Sequence, residues 1–118
     1  MGYAYYVGAY KKYVTEAPEA IPASDFFFQK GVPVACIVNF YLPRPKSPAN
    51  PYPVGDLDNY AKSILDAITK NGTYWHDDAQ VVSLQMHKIY TKGEPRTEVS
   101  IYASTVGHLY EDENGDLK

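Results

Sequence analysis

The run PVACIVNFYL at residues 33–42 limits what this chain can fold into more than any other stretch. It is β-branched and aromatic almost throughout, is broken by one amide, Asn39, and is followed at once by Pro43. Such a strand offers no polar face to water, so it is expected at the centre of a sheet, buried on both faces. The remainder must supply neighbouring strands and a covering layer. With 118 residues there is room for a single domain to do so.

The covering layer is predicted from Asp58 to about Lys70, where Ala61, Ile64, Leu65 and Ile68 recur at helical spacing. Asp58, Lys62 and Asp66 stack at i, i+4 and i+8 on the opposite side. QVVSLQMHKIY at 80–90 alternates, with Val82, Leu84 and Met86 on one side and Ser83, Gln85 and His87 on the other, as a half-buried strand does. TKGEPR then predicts a hairpin turn into TEVSIYAS, where Val99 and Ile101 continue the pattern. The order strand, helix, strand, strand predicts an α+β fold, a single domain with a mixed β-sheet and helical cover. Residues 9–20, AYKKYVTEAPEA, predict a short helix up to Pro18, followed by a proline-interrupted irregular stretch. The domain is expected to span 1–106, with the acidic segment 107–118 disordered.

Composition excludes some classes. No apolar run approaches the roughly 20 residues that span a bilayer, so no membrane association is expected. The opening MGYAYYVGAYKK lacks the basic, apolar, small order of a signal peptide, so a cytoplasmic location is expected. The single Cys36 can form no internal disulfide and reads as a small buried side chain. NGT at 71–73 reads as an Asn-Gly turn. A net charge of −3 argues mildly against nucleic acid, because phosphate binding is driven by Lys and Arg. That charge, however, comes from the tail: residues 1–110 hold ten acids and ten bases, and five of those acids lie between 56 and 78. If those five are sequestered with cations, the remaining surface is basic.

Asp56 and Asp58 crowd the start of the predicted helix, and Asp77 and Asp78 follow in WHDD. One aspartate at a helix start caps free N–H groups and suits the dipole. A second is surplus to capping and repels the first. Asp56, Asp58 and Asp78, converging from separate elements, would suit a hard divalent cation such as Mg²⁺ or Mn²⁺. A calcium loop fits poorly, since DLDNYAK has no glycine at its sixth position and Ala67 stands at the twelfth. Lys62 is one turn beyond Asp58. It can form a solvated ion pair worth roughly 0.3–0.5 kcal/mol or hold a phosphate oxygen, and spacing leaves both open. Asn59 could orient a water, while His76 and Trp75 are expected to be structural.

FYLPRPKS, DLDNYAKSILDAI, NG and WHDDAQVV, ending in a strand that carries Lys88, together resemble the RusA family of Holliday junction resolvases from prophages and bacteria. The resemblance covers roughly residues 34–104 and is far more specific as an ordered set than in any one piece. It implies a homodimeric, Mg²⁺-dependent endonuclease that cuts four-way DNA junctions, or branched DNA, by paired nicks. The family's three metal-site aspartates match Asp56, Asp58 and Asp78, and its lysine matches Lys62, which favours a catalytic role there. Asn59 and Asp77 belong to the motif without a settled role. Relatives commonly begin with a basic Gly-Arg-Pro-Arg-like strand that this chain lacks, so either the N-terminus is truncated or DNA contact relies on Lys11, Lys12, Arg44, Lys46 and Lys88. Gly55 stands where the family often has proline. Two other readings stay open: a metal-dependent phosphodiesterase acting on branches generally, and a non-catalytic DNA-binding protein of the same fold.

Overall fold

The computed structural model describes residues 3–9 as backbone and residues 21–118 in full. The helix expected over 9–20, with Lys11 and Lys12, lies outside the described residues apart from residue 9. Four strands, β1 (Tyr3–Ala9), β2 (Val34–Pro43), β3 (Val81–Thr91) and β4 (Arg96–Ala103), form one mixed sheet in the order β1-β4-β2-β3. β2 runs parallel to β3 and antiparallel to β4, and β4 pairs antiparallel with β1. The helix α1 (Leu57–Asn71) is the crossover that a parallel β2–β3 pair needs. The α+β fold with a mixed sheet is the one the sequence predicts.

The apolar run does take a central position, but its two faces differ. Val34, Cys36, Val38, Phe40 and Leu42 are buried and meet Tyr60, Ile64, Ala67 and Ile68 of α1, together with Val99 and Ile101. On the other face Ile37, Asn39 and Tyr41 are only half-buried. There the Nδ1 atom of His87 lies 3.1 Å from the side-chain oxygen of Asn39, and Arg96 stacks 4.0 Å from the Tyr41 ring while bridging Glu98 at 2.7 Å. Cys36 is buried as expected, and burial pushes its thiol up to about 12.

Two expectations are corrected. β3 and β4 do not form a hairpin, because β2 lies between them. The most apolar strand gains most from two neighbours, and residues 92–95 simply step across its end. β3 is therefore an edge strand, with Val82 and Leu84 exposed; Met86 packs against the core, and so does Val81, whose pairing precedes a register shift at the start of β3. Second, β1 is an additional strand, legible in hindsight from the aromatic and β-branched content of YAYYVGA. The acidic tail carries a local hydrogen-bonded loop. Tyr110 and Lys118 exchange backbone hydrogen bonds, and the Asp112 carboxylate accepts from the backbone N–H groups of Asn114 and Asp116 while Lys118 lies 3.7 Å away. This is a local aspartate turn.

Candidate active site

α1 begins at Leu57 with Asp56 in the N-cap position, in extended geometry, yet the Asp56 carboxylate makes no capping hydrogen bond. Asp58, in the first turn, is exposed, as are Asn59 and Lys62. Among the described residues the only ion pairs are Arg96–Glu98 and Lys118–Asp112, so the Asp58–Lys62 pair that spacing allows does not form. Both carboxylates and the Lys62 ammonium are thus uncommitted.

The backbone beneath them is not loose. The Tyr60 hydroxyl donates to the Val54 carbonyl at 2.6 Å, and the Lys88 ammonium donates to the Gly55 carbonyl at 2.6 Å. Gly55 has φ +99°, and a Cβ there would run into the Tyr60 hydroxyl, so glycine is required. Proline, with its fixed negative φ, could not adopt this turn. Tyr60 is itself seated against Phe40 of β2, ring centroids 5.1 Å apart.

Asp77 and Asp78 lie just ahead of β3, Asp78 opening a short 3₁₀ turn, Asp78–Gln80. Gln80 ties this corner together. Its side-chain oxygen accepts from the N–H groups of His76 and Asp77 at 2.9 and 3.0 Å, and its amide donates to the carbonyls of Phe28, Gln29 and Val32 at 3.3, 2.8 and 3.1 Å. Trp75 is buried and donates to the Thr69 hydroxyl, the structural role expected of it. His76 is exposed and lines a cleft of about 640 Å³ with Lys30, Asp77, Val82 and His108. Partial burial, then the charge of Asp77, a hydrogen bond with it, and the charge of Asp66 hold the Asp78 carboxyl above the ordinary 3.8.

The carboxylate that α1 contributes near Asp78 is therefore Asp66, not Asp56 or Asp58. Asp58 and Asp66 are eight residues apart on α1, about 12 Å along its axis. Along β3, Lys88 at the helix entrance and Val81 beside the 3₁₀ turn are seven residues apart, roughly 23 Å. The helix runs back along the sheet, so its entrance and the start of β3 are at opposite ends, and the expectation that they meet within one chain is not met. Among the described residues, no group of three His, Cys, Asp or Glu side chains within the chain could hold a metal ion. Asp66 was visible in the i, i+4, i+8 stack of the polar face but had no partner until the fold was known. Of the expected DNA contacts, Arg44 and Lys46 are exposed on the loop leading to Asp56, and Lys88 reaches the same end. Lys92 joins them there, since the Arg44 N–H donates to the Thr91 carbonyl.

The profile of the family described as endodeoxyribonuclease RusA matches residues 3–102. The chain belongs to the RusA family. It is 39% identical over 83 residues to YqaN, an uncharacterised protein of Bacillus subtilis strain 168, a match covering 58% of this chain and 56% of that one. It is 46% identical over 46 residues to the crossover junction endodeoxyribonuclease RusA of Escherichia coli K12, covering 39% of this chain and 38% of that enzyme. The chain thus spans about half, or less, of the length of these relatives. This family membership accords with the fold: the matched region takes in α1 and all four strands but for Ala103 at the end of β4. No described helix is long and apolar enough to cross a membrane.

Proposed function

We propose that this chain is a divalent-cation-dependent endonuclease that resolves four-way DNA junctions by paired nicks and acts as a homodimer. The observation that carries the reading is the pair of uncommitted carboxylates, Asp56 and Asp58, on a backbone clamped by Tyr60 and Lys88 in a RusA-family chain. Mg²⁺ is usually gripped by one or two protein carboxylates with water and phosphate completing its shell, so two free, hard oxygen donors at one helix start fit Mg²⁺, or Mn²⁺ in its place. Asp56 and Asp58 would hold the ion. When bound, it supplies an activated water and neutralises charge on the cleaved phosphodiester. Lys62, one turn along and free of an ion pair, is suited to a phosphate oxygen as negative charge develops. Arg44, Lys46 and Lys92 would track the DNA backbone past this end of the sheet.

Asp78 completes the three-aspartate set only if it comes from elsewhere, because its own Asp56–Asp58 pair is at the other end of the sheet. A second copy of the chain is the available donor, and a two-fold dimer supplies two such sets for the two cuts a junction needs. The same separation favours a second reading, DNA binding without turnover, if the chain acts alone. A synthetic four-way junction, a Y-fork and a linear duplex, each incubated with Mg²⁺, distinguish these. Symmetric paired nicks confined to the junction are the expected result. Cutting of all three substrates indicates a general branched-DNA phosphodiesterase, and junction binding without cutting indicates the non-catalytic reading.

A further inference from the structure

Lys88 is a basic residue on an edge strand in a chain that handles DNA, and the plain expectation gives it a phosphate. The geometry gives its ammonium another partner. Lys88 pairs in register with Phe40 of β2, so it shares the face of the sheet on which Phe40 meets Tyr60 of α1. From there it donates to the Gly55 carbonyl at 2.6 Å and sits 5.5 Å above the Tyr52 ring. It forms no ion pair with Asp56 or Asp58, the nearest acids in sequence to its contact.

The Gly55 carbonyl and the Asp56 nitrogen belong to one planar peptide unit, so fixing the direction of the carbonyl also fixes the plane from which the Asp56 Cα departs. Tyr60 holds the preceding carbonyl, that of Val54, and its hydroxyl lies so near Gly55 that a Cβ there would collide with it. Resting on the metal-site reading above, we propose that Lys88 is a positioning residue: it orients the Gly55–Asp56 peptide so that the Asp56 carboxylate stands beside Asp58, facing a divalent cation. Its positive charge acts on the backbone and leaves both carboxylates free, which a direct Lys–Asp ion pair would prevent.

Mn²⁺ titrated into the intact protein without DNA, followed by electron paramagnetic resonance, tests this. Lys88→Met is expected to weaken Mn²⁺ binding about tenfold, within the range typical for loss of a partner that orients a metal ligand, with a thermal midpoint close to that of the unaltered protein. Lys88→Arg, which can still donate to a carbonyl, should restore most of the affinity. Asp56→Asn is the control for the site itself. If Asp56→Asn leaves Mn²⁺ binding unchanged, the metal-site reading falls and the role of Lys88 with it. If Asp56→Asn weakens binding and Lys88→Met does not, only the positioning role is overturned. Weaker junction binding in EDTA with unchanged Mn²⁺ affinity likewise overturns it, making Lys88 a phosphate contact. Should Lys88→Met fail to fold, Lys88→Gln, a shorter neutral donor, is judged by the same two measurements.

Discussion

The helix entrance and the start of β3 each set two aspartates at the protein surface, but the chain holds them by different means. At the entrance, side chains from two elements, Tyr60 and Lys88, seize successive backbone carbonyls from outside. At the start of β3, one buried amide, Gln80, satisfies two N–H groups and three carbonyls from within. The first arrangement aims its acids while leaving them in water. The second is part of the core, and its acid Asp78 bears the cost of partial burial and then of neighbours of like charge. The contrast teaches that acids of one motif can belong to two mechanically separate frames, one built by side chains reaching in from other elements and one by a single buried amide.

The largest expected effect tests whether the two frames work together across two chains. Asp58→Asn and Asp78→Asn should each lower junction cutting more than about 100-fold, beyond the loss typical of a residue that only orients a ligand, while junction binding persists. Mixed and allowed to exchange subunits, the two inactive proteins should regain nicking of one strand per junction. A dimer with one of each keeps one complete Asp56, Asp58 and Asp78 set only when Asp78 serves the partner's site. Mixed dimers that form and stay inactive would break the comparison.

Next in size is Gln80→Leu. It leaves the His76 and Asp77 N–H groups without their acceptor and takes a donor from the Phe28, Gln29 and Val32 carbonyls, of which Gln29 keeps the Val32 N–H; it should destabilise the fold by about 3 kcal/mol, a fall of roughly 10 °C in melting temperature. Calorimetry checks this. An unchanged midpoint would mean that the corner is held by something other than the amide.

The smallest effect concerns pH. A carboxyl held above its ordinary value favours the protonated form in the folded state, so its contribution to stability is present below 3.8 and is lost as pH rises through the raised value. Asp78→Asn should therefore be more stable than the unaltered protein at neutral pH, by less than about 1 kcal/mol given solvent screening. The difference should vanish below the ordinary aspartate value. Denaturation midpoints at the two pH values measure it, and equal midpoints at neutral pH would remove the like-charge cost from the comparison.

Much of this was legible in the chain. β2 could be placed centrally because no other site suits ten nearly continuous apolar residues, and α1 because its apolar positions repeat at the helical period. The pairing of β3 with β4 was misread because a short turn between two alternating strands normally closes a hairpin. Nothing local says that a third strand will be inserted.

Local spacing alone determined that this protein has a helix covering a mixed sheet, and that five aspartates and Lys62 lie along its crossover. Tertiary structure decided where those charges stand. A helix of fifteen residues laid back along parallel strands carries its two ends to opposite ends of the sheet, so acids that are near in sequence are far apart in one chain, while Lys88 and Gly55, 33 residues apart, are in contact.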